Sequence, residues 1–142
     1  MAGKLVGQTA SVGFQVGVRR TFPISPDRAW AFLTSQEGAK LWLGEVPPLA
    51  YRVGETFESK EGISGEFRVV KEMQQLRLRW RKKDWAFTST LQIRLLQTSS
   101  GKTTISFHQE KLDHSNTREQ MKKQWEDVLK EIADKISIGM LE

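Results

Sequence analysis

The sequence contains no cysteine, one tyrosine and two histidines. Without thiols there can be no disulfide, no thiolate nucleophile and no cysteine-based zinc site. His108 and His114 have neither the spacing nor the neighbours of a metal pair, so no metal or other cofactor is expected. No apolar run approaches the ~20 residues of a membrane span. A Gly-x-Ser-x-Gly elbow, a phosphate-binding glycine loop and a dinucleotide fingerprint are all missing, which removes the chemistries those motifs carry. Nor does any base stand beside a nucleophile in a pattern suited to acyl transfer. Proton transfer on a bound ligand asks for less, a single inward ionisable group. Glu58, Glu110 and Tyr51 are available for it, but nothing in the pattern selects one.

Charge of one sign is not concentrated anywhere. The balance is basic, with a net charge of +5, yet carboxylates are spread along the whole chain, as on a soluble surface. Met1–Gln15 is small and polar with one lysine and lacks the apolar core of a signal peptide. Residues 1–12 are expected to form a disordered tail ahead of a single domain over 13–140. The lack of oxidisable thiols is compatible with a reducing cytoplasm, where the chain is expected, as a monomer.

What is present is periodicity. From Thr117 to Ile138 the apolar residues are Met121, Trp125, Val128, Leu129, Ile132 and Ile136, one stripe of a 3.6-residue helix with a charged opposite face. Thr117 and Gln120 stand at capping-box spacing. Glu126–Lys130 and Glu131–Lys135 are i,i+4 pairs for the outer face, and Gly139 suits the stop. Near the start, Phe14, Val16 and Val18 alternate as a strand. Ser25 before Pro26 then marks a helix N-terminus, and Ser35 caps a second short helix that Gly44 and Pro47-Pro48 end.

The middle reads as hairpins. Phe57 lies on a short strand, and Gly62–Gly65 supplies a turn. Phe67 and Val69 share a face, as do Leu76, Leu78 and Trp80. After a turn at Lys82-Lys83-Asp84, Trp85, Phe87, Ser89, Leu91, Ile93 and Leu95 share the next, and Ile105, Phe107 and Gln109 the last.

A strongly curved sheet cannot follow a straight helix along its whole length, so a gap opens beneath the helix. Trp42, Phe57, Phe67, Trp80, Trp85, Phe87, Phe107 and Trp125 all fall on inner faces, and aromatic walls with few polar groups suit an apolar ligand. Met121 and Leu129 extend that wall from the helix. Ser89 and Gln109, polar at inward parity, are candidates to orient a ligand or to satisfy buried backbone. On the outer face, alternation places Arg68, Arg77, Arg79, Arg81 and Arg94 together, a surface suited to phosphates or an acidic protein. No aromatic interleaves them, so base stacking, and with it nucleic-acid binding, is not expected. Glu66 and Glu72 dilute the patch.

The ordered set of segments resembles the START-related (SRPBCC, Bet v-like) helix-grip superfamily, in the branch of the heat-shock-protein-ninety ATPase activator's C-terminal domain. Arg20-Thr-Phe-Pro-Ile-Ser-Pro-Asp-Arg-Ala-Trp-Ala-Phe-Leu-Thr34 resembles its first strand and opening helix, and Leu41-Trp42-Leu43 the close of its second helix. Gly65-Glu-Phe-Arg-Val-Val-Lys-Glu72 with Leu76-Arg-Leu-Arg-Trp80 resembles its central hairpin. Gly101-Lys-Thr-Thr-Ile-Ser-Phe-His-Gln109 resembles its penultimate strand, and the Trp125 helix its closing element. The resemblance runs from about Phe14 to Ile138. Two positions depart from the family pattern: Gln124 stands where glycine is frequent, and Gln109 where an inward histidine is frequent.

The expected fold is α+β, a curved antiparallel sheet wrapped on a long C-terminal helix with two short helices near the N-terminus. The resemblance implies a hydrophobic cavity that binds an apolar or lipid-like small molecule. An enzyme of cyclase or hydrolase type in the same cavity, and a co-chaperone-like interaction module using the arginine face, are the alternatives.

Overall fold

A computed structural model describes residues 8–9 and 13–139. Its elements are β1 (Gln8–Thr9), β2 (Gly13–Phe22), α1 (Pro26–Leu33), α2 (Gln36–Trp42), β3 (Thr56–Glu58), β4 (Ser64–Lys71), β5 (Gln75–Arg81), β6 (Ser89–Ser99), β7 (Lys102–Leu112) and α3 (Ser115–Ser137). The strands form one antiparallel sheet in the order β1-β2-β7-β6-β5-β4-β3. The expected architecture is present: six main strands plus the two-residue β1 at the edge, a long C-terminal helix and two short early ones. Gln8–Thr9 fall within the segment expected as a tail, and the rest of 1–12 lies outside the described residues.

The helix caps follow from the sequence. Ser25 accepts a hydrogen bond from Arg28 N, with Pro26 at the first helical position, and Ser35 accepts from Gly38 N. Each satisfies an N–H that the first turn leaves without a helical partner. Gly44, at φ +95°, takes the left-handed conformation beyond the end of α2. The cap of α3 differs from expectation. Its N-cap is His114, which makes no side-chain cap bond. Thr117 Oγ1 instead donates to Asp113 Oδ1 at 2.9 Å, so no capping box forms. Among the described residues the i,i+4 ion pairs of α3 are Lys123–Asp127 and Lys130–Asp134, in place of the pairs expected from Glu126 and Glu131.

Three details of the hairpins depart from simple alternation. Gly65 is inside β4, opposite Trp80, rather than in the turn. A Cβ there would lie 1.8 Å from Arg79 O and 2.8 Å from Phe57 Cζ, so close backbone approach requires glycine. Arg68 is the extra residue of a bulge, after which Val69 faces Arg77 and Val70 faces Leu76. The expected inward place of Val69 is therefore taken by Val70. Finally, β6 begins at Ser89, which leaves Trp85 and Phe87 in the preceding loop and not on the strand.

α3 packs on β2 and β7, while α1 and α2 sit against β6, β7 and α3. The core lies between them. It takes Met121, Trp125, Val128, Leu129 and Ile132 from α3, and Leu76, Leu78, Trp80, Leu91, Ile93, Ile105 and Phe107 from the sheet. Burying each large side chain contributes roughly 1.5–3 kcal/mol, which explains why α3, capped without a side chain, is held by its apolar stripe.

Candidate functional site

The aromatic residues expected to line one enclosure form two groups joined by a hydrogen bond. In the first, Phe67 packs on Phe57 (centroids 5.5 Å apart), Tyr51 (5.3 Å) and, edge-on, Trp42 (6.5 Å). In the second, Trp125 stacks on Phe107 at 5.0 Å and meets Trp80 edge-on at 5.4 Å. Trp85 also meets Trp80, at 5.5 Å and 62°, and stacks on Phe87 at 4.6 Å and 11°. The link is Trp80 Nε1, which donates to Trp42 O at 3.0 Å, while Trp42 Nε1 donates to Leu33 O at 3.0 Å.

A polar chain runs through the second group. Trp125 Nε1 donates to Gln109 Oε1 (2.8 Å), Gln109 Nε2 to Ser89 Oγ (2.9 Å), and Ser89 Oγ to Trp80 O (2.6 Å). Gln109 and Ser89, candidates to orient a ligand or to satisfy buried backbone, are buried and bonded to each other, to the Trp125 indole and to Trp80 O. No buried side-chain polar atom among the described residues lacks a partner, so the polar groups of the interior are satisfied. Trp42, Phe67, Trp80, Phe107, Gln109, Met121 and Trp125 are all fully buried, and Phe57 and Leu129 nearly so.

Trp85 and Phe87 differ from the rest. Both are only half-buried. They belong to the 82–88 loop, whose turn closes through Trp85 N donating to Lys82 O. Burial pushes the Lys82 amine below its ordinary pKa. Both rings pack against the core, Trp85 through its T-shaped contact with Trp80 and Phe87 through its stack on Trp85.

Beside α3 a surface groove of about 550 Å³ opens between α2, α3 and the β3–β4 connection. Leu41, Ile63 and Val128 give it an apolar floor, with Lys40, Lys123, Asp127 and Glu131 around it. Glu61 on its rim accepts from Glu45 N at 2.8 Å, and backbone N–H bonds hold its carboxyl below the usual range. Glu61 thus ties the β3–β4 connection to the segment that follows α2. Sequence reasoning missed this groove because it lies at the border of the α3 stripe, where Val128 meets charged neighbours.

The ionisable candidates do not assemble a catalytic centre. Glu110 pairs with Arg77 on the outer face, and Glu58 is exposed on β3. Burial raises the Tyr51 phenol to about 12, with Glu55 adding a smaller push. Among the described residues no group of His, Asp and Glu is placed to hold a metal ion. His108 points outward, as expected, with Nε2 3.0 Å from Gln15 Oε1. On the outer face Arg68, Arg77 and Arg79 lie close enough to line one concavity.

This arrangement, a long helix held over a sheet with aromatics between, can be set beside known proteins. The sequence model of the family described as Activator of Hsp90 ATPase homolog 1-like protein matches residues 23–136. The chain belongs to this family. The same helix-grip fold occurs in DynU16, a protein of the dynemicin biosynthetic locus (TM-score 0.76, 19% identity, 88% of this chain and 48% of that one). This chain thus spans about half the length of DynU16. An HSP90 activator from Plasmodium falciparum superposes with a TM-score of 0.73 at 17% identity, over 88% of this chain and 96% of its own. The Aha1 dimer from Colwellia psychrerythraea gives 0.73 at 16%, over 88% and 97%. At such identities these Aha1-like structures speak for the fold alone. Comparison with curated protein sequences finds no match. Among the described residues no helix is long and apolar enough to cross a membrane.

Proposed function

We propose that this member of the activator-homologue family is a binding domain, not an enzyme, and that it takes an apolar small molecule between α3 and the sheet. The observation that carries the reading is the Trp85–Phe87 stack. These two rings are half-buried and lie outside the strand ladder, with Trp85 set against a fully buried Trp80 in a T-shaped contact and Phe87 stacked on Trp85. A ligand displaces them and takes their place against Trp80, exchanging aromatic contact for aromatic contact. Trp42, Phe57, Phe67, Phe107, Met121, Trp125 and Leu129 are the walls behind it.

Ser89 and Gln109 act through those walls, by holding Trp80 and Trp125 in place. Because their polar atoms are already satisfied, the site favours ligands with little polar demand. Such a pocket discriminates weakly by size, about 1–3 kcal/mol per methylene, which suits a class of lipid-like or aromatic molecules. A cytoplasmic monomer is the state in which we place this activity. The test is quenching of tryptophan fluorescence by a fatty acid, a flavonoid and a sterol. Saturable quenching that Trp85→Ala alters is expected. Quenching with none of the three would remove the reading.

A second reading is a co-chaperone-like module that meets an acidic protein through Arg68, Arg77, Arg79, Arg81 and Arg94. The placement of Arg77, Arg79 and Arg81 on one strand favours it, as does the description of the Plasmodium relative as an HSP90 activator. Charge reversal at Arg77 and Arg79 would abolish partner capture under this reading and spare ligand quenching under the first.

A further inference from the structure

On the sheet face away from α3, two irregularities of the ladder coincide with a cluster of cations. Between Phe67 and Val69 the register of β4 against β5 slips, and Arg68 is the extra residue. Between Phe14 and Val16 of β2 there is one residue, Gln15, whereas between their partners Leu112 and Gln109 of β7 there are two, Glu110 and Lys111. Lys111 sits there at φ +66°, a conformation that a side chain with a Cβ adopts at a cost and that tends to persist where the surroundings require it. Bulges re-aim side chains. These two bring Arg68 from β4 and Lys111 from β7 into the same concavity as Arg77 and Arg79 of β5 and Thr90 of β6, a space of about 310 Å³.

The lining of this concavity holds four cations and no carboxylate. Two carboxylates stand beside it. Glu110 is 3.6 Å from Arg77 and Glu66 is 3.7 Å from Arg68, both long contacts to half-exposed guanidinium groups. Arg79 and Lys111 make no ion pair among the described residues. The cations therefore outnumber the carboxylates that reach them, and the excess sits around a concavity rather than on a flat surface. Arginine forks match the oxygens of a phosphoryl group in pairs, a lysine adds a point charge, and a threonine hydroxyl adds a neutral donor. A volume near 300 Å³ is at the small end of ligand sites and suits a single phosphorylated group.

From this geometry we infer that the outer face carries a second site, which binds the phosphoryl group of a small anionic ligand through Arg68, Arg77, Arg79, Lys111 and Thr90. The site lies across the sheet from the apolar one and does not depend on it. Sequence alternation indicated the arginines. It missed Lys111, because simple alternation places that residue on the inward side with Phe107 and Gln109, and the bulge on β7 turns it to the outer face; Thr90 falls on the outer parity but carries no charge to mark it.

The test is an NMR titration of the full chain with inorganic pyrophosphate at fixed ionic strength, with chloride as control. Vesicles of phosphatidic acid and phosphatidylcholine, and an oligo-glutamate peptide, form separate arms. Saturable shifts at Thr90, Lys111 and the arginine side chains are expected with pyrophosphate, or with the vesicles if the phosphoryl group belongs to a lipid. Arg77→Gln with Arg79→Gln should weaken binding by more than about tenfold, the loss expected for charge-assisted hydrogen bonds. Lys111→Gly suits the left-handed backbone and removes the side chain with its ammonium, so it should weaken binding in a chain that still folds. Binding by the oligo-glutamate alone would overturn the inference. So would shifts that follow ionic strength, or that persist in both variants.

Discussion

Trp125 Nε1 donates to Gln109 Oε1 at 2.8 Å, with both residues fully buried. This bond ties the one long helix to the centre of the sheet. Through Ser89 Oγ it continues to the backbone of Trp80, so helix, β7, β6 and β5 share one polar chain. Removing a partner from such a chain leaves a buried donor unmet, which costs more than the bond itself contributes.

Gln109→Leu should therefore lower stability by about 1–3 kcal/mol, since the Trp125 indole N–H loses its acceptor. Urea unfolding checks this. A double-mutant cycle with Trp125→Phe should show coupling of about 0.5–3 kcal/mol, because the second substitution removes the stranded donor. Additive losses would mean that the bond does not organise the core.

Gly65→Ala should be among the most damaging small substitutions in the chain, at about 4 kcal/mol or more. The added Cβ would overlap Arg79 O on the neighbouring strand, and backbone in the middle of a ladder has nowhere to go. Gly101→Ala is the contrast. Unlike Gly65, Gly101 has a positive φ, of +75°, but open space around its Cβ position, so only the backbone cost of about 1 kcal/mol applies. Thermal unfolding of the two variants measures the difference.

Tyr51 sets an alkaline limit. Its phenol is raised from 10.0 to about 12, chiefly by burial against Phe67. Below the unfolded value the phenol is neutral in both states, and its contribution to stability is complete. Between about 10 and 12 the unfolded chain ionises first, so stability falls as pH rises through that window. Tyr51→Phe should remove this part of the pH dependence. Urea midpoints at pH about 9 and about 11 in both proteins check it.

Ser35→Ala should cost about 1 kcal/mol through loss of the α2 cap. Ser35 Oγ also donates to Phe32 O at 2.6 Å, so the substitution loosens the junction of α1 and α2 at the same time. Chemical denaturation reads the loss. A neutral result would place the stability of α2 entirely in its buried Ala39 and Trp42.

Most of the fold was legible because its signals are periodic. The α3 stripe, the two serine caps, the glycine ends and the alternation of β5 to β7 each rest on a rule that one sequence displays. Three things were hidden, and each has a physical cause. The bulge at Arg68 moved Val70 inward for Val69, because one inserted residue reverses parity for the rest of a strand. Gly65 read as a turn because glycine marks both turns and close strand crossings. Trp85 and Phe87 alternate as a strand would, yet the Lys82–Trp85 turn keeps them out of the ladder. The inward positions of Gln109 and Ser89 were correctly read from parity. Their bonds to Trp125 and to Trp80 O depend on three elements meeting in space, which no single segment encodes.

The central claim is that an apolar ligand displaces Trp85 and Phe87 and rests against Trp80. The most direct measurement is an amide and indole N–H NMR titration with a fatty acid, a flavonoid and a sterol, each added to the full chain. The account predicts saturable shifts at Trp85, Phe87 and the Trp80 indole for at least one ligand, with the Trp125 indole keeping its bonded shift. Resonances of Trp80, Trp85 and Phe87 that stay still across the panel would contradict it and make the aromatic interior a core and nothing more.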